Sequence, residues 1–288
     1  EYRDLLKWAA TADMTNDSNY KKVCDSIDIQ SFIDMVTIET YINNTDWATD
    51  YMNNWISWRA TTPDDTCDYS DGKWRYMLYD LDFSADYFDD ARTLAGFDTL
   101  NNMFTGSNPY NFVPMFYNLM NNKTFSKHFF ESYTEIMRVN FAPYKVSKKL
   151  DEYVAKYKDV ITETNTRFSQ EWVNTNYDKE IETFRQYFIN RRNLAKMYLD
   201  KLYGKEYEMN YGPDILSDES KWSFYGEASA SKTNNEFKIT THKECKNSWD
   251  IQSQSQQFTI EKGRTYTVTF EAACSTSKTI GVTINHNV

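Results

Sequence analysis

The sequence predicts an α+β protein, with a mainly helical part up to residue 204 and an all-β part over 205–288. Three observations predict it. Apolar residues recur at helical spacing through most of the first two hundred positions. Two short aromatic runs flanking a Pro, Asp and Gly-rich loop break into that pattern as a β-hairpin. After Tyr211-Gly212-Pro213 the helical period disappears, and Thr, Ser, Asn and Gln dominate between short alternating runs. A length of 288 residues leaves room for about two domains, each with a core of ordinary size.

In chain order, Ile29, Phe32, Ile33 and Val36 make one buried face of a helix within 25–42, with Asp28 as its N-cap. The runs 54–59 and 74–79 are the hairpin strands, joined by the loop 61–72, and the second leads directly into Asp80-Leu81-Asp82. Helices are predicted over 112–121 and 125–140, and a charged one over 146–162. Ile181, Phe184, Phe188, Ala195, Tyr198 and Leu202 mark another within 179–202, with Gly204 as its stop signal. In the β part, strands are predicted over 237–241, 257–260, 265–272 and 278–284, with Gly263-Arg264 as a hairpin turn. Tyr266, Val268 and Phe270 alternate there with Thr267, Thr269 and Glu271. The last run ends at the chain terminus without a turn, so the sandwich is expected to be incomplete, with Ile280, Val282 and Ile284 on an open edge.

Composition narrows the function. With 40% hydrophobic residues, 22 Tyr, 18 Phe and 8 Trp, the chain folds. A formal charge of -10 argues against nonspecific nucleic-acid or anionic-membrane binding, which draws on Lys and Arg. It suits a soluble extracellular protein whose clustered carboxylates are offset by cations. No run of about 18 apolar residues is present to span a bilayer. The opening EYRDLLKW does not read as a signal peptide, so the sequence is expected to begin partway through a longer protein. Cys24, Cys67, Cys245 and Cys274 fall two to each half, either as one disulfide per half or as free thiols. His128, His242 and His286 are scattered and suggest neither a zinc site nor a triad. Acceptor sequons occur at Asn16, Asn43 and Asn122, and the one at Asn43 reads as chance. Arg191-Arg192 reads as a solvated or ion-paired helix face rather than a phosphate clamp.

Two constellations can carry chemistry. One is Asn43-Asn44-Thr45-Asp46-Trp47, with Asn53-Asn54 following it; the other is the strand 74–79 running into Asp80 and Asp82. Carboxylates and amides at a helix end, opposite carboxylates at a strand end, supply the oxygen ligands a hard divalent cation takes and a separate Asp to receive a hydroxyl proton. The bland reading is that Asn and Asp are helix-terminating and turn residues. Two adjacent acids also fit the DxD motif of sugar-nucleotide transferases. A phosphatase-type DxD fits less well, because Phe83-Ser84 stand where Thr or Val is expected.

The segments IDIQSFIDMVTIETYINNTDW, NNWISWR and GKWRYMLYDLDFS resemble the CotH (spore coat protein H) kinase family, as do FRQYFINRRNLAKMYL and LMNNKTFSKHFFESYTEIM downstream. The resemblance covers about 25–203 and implies a mostly helical kinase-like C-terminal lobe with the β-hairpin at its site. It implies Asp46 as the catalytic-loop Asp, Asn53 or Asn54 as the metal-side amide, Asp80 with Asp82 as Mg²⁺ or Mn²⁺ ligands, and Trp74 beside the bound ATP. Residues 48–52 lengthen the family's spacing, and Tyr79 replaces its usual Trp. No glycine and no basic cluster precede Asp46, so the family's nucleotide-binding front is expected to be missing and the chain as given to bind ATP weakly or not at all. The β part resembles jelly-roll carbohydrate-binding modules through the run 260–272, which implies Trp222, Tyr225 and Trp249 as sugar-stacking rings. The rival reading of Trp222 and Trp249 is sandwich core. Together the resemblances imply a secreted protein kinase acting on Ser/Thr hydroxyls at a cell or spore surface, held on polysaccharide. The rival is a non-catalytic scaffold of a polysaccharide-degrading or coat complex.

Overall fold

The structure, a computed structural model, describes residues 1–48, 53–64, 66–87, 90–103, 112–203, 222–233, 236–242, 246–247, 249–255, 274 and 280–282. The chain divides into two units, Glu1–Glu208 and Met209–Val288.

The first unit is mainly helical. It comprises α1 (Tyr2–Thr11), α2 (Asp17–Ser26), α3 (Ile29–Tyr41), β1 (Trp55–Trp58), β2 (Arg75–Leu78), α4 (Thr99–Asn102), α5 (Val113–Leu119), α6 (Lys123–Glu135), α7 (Pro143–Arg167) and α8 (Glu171–Tyr203). Side-chain caps start four of the helices, with Asp98 accepting from the Asn101 N–H at the start of α4. Asn16 accepts from the Ser18 N–H, Asp28 from that of Ser31, and Asn122 from those of Thr124 and Phe125. Each such cap contributes about 1 kcal/mol by satisfying N–H groups that the helix leaves open. Pro143 opens α7, where its missing N–H costs nothing.

The first unit's core is built around α3, whose Phe32, Ile33, Val36 and Met35 are buried. The Phe32 ring meets Tyr76 at 4.9 Å, Phe112 at 5.8 Å and Phe116 at 6.4 Å. Phe116, Phe125, Phe129 and Tyr133 extend that cluster through α5 and α6. Such pairs add about 0.5–1.5 kcal/mol each beyond the area they bury.

β1 and β2 pair antiparallel in the register Trp55↔Leu78 to Trp58↔Arg75, which is the hairpin the sequence predicts. The hairpin is fastened to the start of α3. The Trp74 N–H donates to the Ser26 carbonyl at 2.8 Å, and the Asp28 N–H donates to the Trp74 carbonyl at 2.9 Å. Buried Arg75 forms ion pairs with Asp28 and Asp71 at 3.0 and 2.8 Å.

Two helices outgrow their predicted bounds. α7 runs to Arg167 and ends on Ser169, whose φ of +56° lets the Gln170 N–H return to the Asn165 carbonyl at 2.7 Å. α8 then begins at once, at Glu171. The predicted helix over 125–140 changes to a π turn at Ile136–Asn140. Cys24 and Cys67 are free, so the disulfide considered for the first half does not form; Cys24 lies on α2 and Cys67 is exposed in the loop before β2.

The second unit shows two antiparallel pairs, β3 (Trp222–Tyr225) with β6 (Gln252–Ser255) and β4 (Ala228–Thr233) with β5 (Glu236–Thr241). Gly226 turns the corner between β3 and β4 with φ +99°, and a Cβ there would lie 2.1 Å from the Asp250 carbonyl oxygen. β5 matches the predicted strand over 237–241. The predicted strands over 257–260 and 265–272, the turn Gly263-Arg264, and Cys245 lie outside the described residues. Within the predicted run 278–284, Ile280 and Val282 are 58% and 57% exposed and carry no strand, so the expected apolar edge strand is absent at those positions.

Candidate functional site

The end of α3 builds one wall of the site. Ile42 caps the helix, Asn43 follows in the left-handed region at φ +54°, and the Asn44 N–H returns to the Glu39 carbonyl at 3.0 Å. This six-to-one closure normally uses Gly, and Asn is among the few other residues that tolerate it. Asn43 is fully buried. Its Oδ1 accepts from Thr99 Oγ1 at 2.8 Å and from Arg191 at 2.7 Å, and its Nδ2 donates to the Leu94 carbonyl at 2.6 Å. A glycan at Asn43 is sterically excluded in the folded chain, as the chance reading of its sequon requires.

Arg191 corrects the sequence reading of Arg191-Arg192 as a solvated or ion-paired face. Its side chain is fully buried and donates to the carbonyls of Thr40, Tyr41, Ala95 and Phe97 at 2.7–2.8 Å, as well as to Asn43. A guanidinium has five donors in a planar fork, and here the carbonyls at the negative end of α3 and of the 95–97 loop meet them. It locks the wall of the site.

The segment after β2 forms the opposite wall and is bonded to the first. The Thr45 N–H donates to the Phe83 carbonyl at 3.0 Å, and the Ala85 N–H donates to that of Ile42 at 2.8 Å. Between these walls, Asn44 Oδ1 accepts from the Asp46 N–H at 3.0 Å, and Asp46 Oδ2 accepts from Asn54 Nδ2 at 2.9 Å. Asn54 immediately precedes β1 and Asp80 follows β2, both with φ above +50°. Two non-glycine residues in that sparsely populated region at the same end of one hairpin are the kind of strain that collects at functional sites.

Asp80 is exposed, and its carboxyl is raised above the usual carboxylate range, chiefly by the negative charge of Asp82, then by slight desolvation, by a hydrogen bond with Asp82 and by the charge of Asp46. The charges of Asp82 and Asp46 thus both act on Asp80. Asn53 stands exposed beside Asn54. Among the described residues no group of three or more His, Cys, Asp or Glu side chains is gathered closely enough to hold a metal ion. Asp80 with Asp82 supplies two acids and Asn54 an amide oxygen, an all-oxygen set of the kind Mg²⁺ or Mn²⁺ takes alongside waters.

Trp74 is not brought to these groups. It lies at the start of β2, and at a strand rise of about 3.3 Å per residue it sits roughly 16 Å along the strand from Tyr79. Its ring packs on Tyr2 at 4.6 Å and under the Arg59 guanidinium at 5.0 Å.

In the second unit, Trp222 and Phe224 share one face of β3 and are half-buried, whereas Ser223 and Tyr225 turn to the other. Tyr225 is 53% exposed and pairs across the sheet with Gln252, whose Nε2 donates to the Trp249 carbonyl at 2.9 Å. Trp249 is 66% exposed and stands outside any core the described residues form. Tyr225 and Trp222 thus lie on opposite faces of one strand.

The fold and site so far define a helical lobe that presents acids from a helix end and a hairpin end, joined in sequence to a β unit with exposed rings. The family model described as "CotH kinase protein" matches residues 1–195, and that described as "Carbohydrate binding domain" matches residues 211–288. The chain belongs to the CotH kinase family and carries a carbohydrate-binding domain behind its kinase-like domain. Neither a curated protein nor a solved structure matches it. Among the described residues no helix is long and apolar enough to cross a membrane.

Sequence reasoning picked out Asn44, Asp46, Asn54, Asp80 and Asp82, took Arg191 for a surface residue, and passed over Glu39. Glu39 carried a signal, since it continues the apolar series Phe32, Met35, Val36 at helical spacing.

Proposed function

We propose that this chain acts as a secreted, CotH-type protein kinase that transfers the γ-phosphoryl group of ATP to Ser/Thr hydroxyls of a protein, held on polysaccharide by its C-terminal domain. The observation that carries the reading is the Asp46 carboxylate, oriented by Asn54 and adding its charge to that of Asp82 at Asp80. Asp46 Oδ2 is occupied by Asn54, which leaves Oδ1 to accept the proton of the attacking hydroxyl. The hydroxyl oxygen bonds to the γ-phosphorus, the bond to the bridging oxygen breaks, and ADP leaves with that electron pair. Asp80, Asp82, Asn54 and Asn53 are the residues that would hold Mg²⁺ or Mn²⁺. When bound, such an ion offsets the phosphate charge and the acid pair together. Because Asp82 and Asp46 both put negative charge on Asp80, a nucleotide's phosphates would be repelled there without that ion.

The polysaccharide reading rests on the matched carbohydrate-binding domain and on the exposed rings of Tyr225 and Trp249, which suit sugar stacking. A cell-surface or extracellular location follows from that partner.

The test is transfer of label from radiolabelled ATP, with Mn²⁺, to the chain itself and to a Ser/Thr-rich protein, for wild type, Asp46→Asn and Asp80→Asn. Transfer by wild type and its loss in both variants is the expected result. A folded wild type that neither transfers phosphate nor binds Mn²⁺ would leave the non-catalytic scaffold, a reading favoured by the lack of a three-acid cluster among the described residues.

A further inference from the structure

Glu39 lies on the inward stripe of α3 and is fully buried. A buried carboxyl is costly unless its oxygens are paired or it is neutral, and only half of it is paired. Oε2 accepts from Asn44 Nδ2 at 2.8 Å, while Oε1 is buried with no hydrogen-bond partner. Helix ends of this type commonly set an apolar contact between the third residue before the cap and the second beyond it. Those two positions here are Glu39 and Asn44, and a hydrogen bond stands where the apolar contact would be. An apolar pair would close the helix at least as well, so the polar pair needs another reason.

The reason lies in what Asn44 does with its other end. An amide has distinct donor and acceptor ends. With Nδ2 turned inward to Glu39, Oδ1 is turned outward to the Asp46 N–H at 3.0 Å, and Asp46 then meets Asn54 at 2.9 Å. Asn44 is thereby held between the Glu39 carboxyl oxygen and the Asp46 N–H, in the rotation that keeps the Asp46 turn. We propose that Glu39 is a positioning residue of the candidate site: through Asn44 it fixes the turn that sets the Asp46 carboxylate against Asn54 and the Asp80/Asp82 pair. The inference rests on the phosphoryl-transfer reading for the use made of Asp46.

Burial pushes the Glu39 carboxyl up to about 8, against the lowering effect of the Asn44 hydrogen bond. The elements packed against α3 carry Arg75 and Tyr76 of β2, Asp98 at the start of α4, His128 and Tyr133 of α6, Arg138 of the π turn, and Tyr187 and Arg191 of α8, and α3 itself carries Asp34 and Tyr41; of these, Arg75 and His128 pair with Asp28 and Gln30 at the opposite end of the helix. None of them enters the Glu39 shift. Below pH 8 Glu39 is a neutral acid, which Gln mimics; above it, a buried charge with one oxygen unpaired replaces that acid.

The full chain would be compared as wild type, Glu39→Gln and Glu39→Met by the amide resonance of Asp46 and by Mn²⁺ titration between pH 6.5 and 9. In wild type the Asp46 amide should titrate with a midpoint near 8 and Mn²⁺ affinity should fall with it, whereas Glu39→Gln stays flat at the neutral-pH values. Glu39→Met, folded by circular dichroism, should displace the Asp46 resonance and weaken Mn²⁺ about tenfold at pH 7, the usual cost of losing an outer-shell partner. A pH-insensitive Asp46 amide that is unchanged in Glu39→Met overturns the positioning role, even if Mn²⁺ binds and phosphate is transferred. An Asp46 amide that follows Glu39 in a chain binding no Mn²⁺ supports the positioning role and sinks the phosphoryl-transfer reading instead.

Discussion

Replacing Arg191 by Met keeps most of the side chain's length and removes its donors. Five acceptors are then left facing one another at the end of α3: four carbonyls and Asn43 Oδ1. Hydrogen bonds to a charged donor are worth about 1.5–3 kcal/mol each, so a simple sum over five would be as large as the whole stability of a typical domain, about 5–15 kcal/mol. Two effects reduce it. The wild-type guanidinium pays its own desolvation, and the 95–97 loop can move away and let water reach Ala95 and Phe97. What remains is the penalty of breaking a buried charged network, about 3–5 kcal/mol. For a unit of this size each kcal/mol shifts Tm by about 2–4 °C, so the Met variant should melt roughly 6–20 °C lower when followed by helical circular dichroism. Arg191→Lys should recover less than half of the loss, because a single ammonium cannot span acceptors on α3 and on the loop at once. A Met variant melting within about 3 °C of wild type would refute the view that Arg191 locks the site wall.

The pH dependence of stability has a definite sign. The Glu39 carboxyl is raised from 4.5 to about 8 in the folded chain, so the unfolded chain ionises first, and Glu39's contribution declines from about pH 4.5 upward until it is lost near 8. Glu39→Gln should remove that decline, giving urea midpoints that converge with wild type near pH 5 and exceed it near pH 8.5. In the second unit, Gly226→Ala forces a Cβ into the Asp250 carbonyl at a φ that only Gly adopts easily, and should cost more than about 2 kcal/mol in that unit's unfolding while leaving the first unit's transition unchanged. Tyr225→Ala and Trp249→Ala should each reduce retention on cellulose or xylan without lowering the melting temperature, because both rings are more than half exposed; undiminished retention in the double variant would move the sugar site elsewhere.

The helices α3 and α5 to α8 were legible because burial writes a 3.6-residue period into the sequence, and Asp28 marks where α3 begins, whereas α1, α2 and α4 were not read. Where they end was harder to read. α7 closes on a left-handed residue that is not glycine, Ser169, so the usual stop signal was missing, whereas the end of α3 at residue 42 was read correctly although Asn43 takes the left-handed place there. The acidic half of the site was legible for an electrostatic reason: paired acids after an apolar strand demand compensation wherever they fold. Arg191 was not, because nothing local distinguishes a guanidinium aimed at carbonyls from one in water; its acceptors come from segments roughly a hundred or more positions earlier in the chain. Trp74, placed beside the nucleotide by the family resemblance, stands apart from the acids because an extended strand converts six residues into distance.

The buried Asn43 has a consequence for how the chain must be made. Asn43-Asn44-Thr45 is an acceptor sequence, and before folding nothing hides it. Once Arg191, Thr99 and Leu94 have closed over Asn43, the side chain is out of reach. In a secretory pathway that glycosylates nascent chains, folding and sugar transfer would compete for the same amide. A glycan added first is a bulky polar group tied to a position with no exposed surface. Every such chain would be barred from closing the helix end that carries Asp46, and the yield of native protein would report which process is faster.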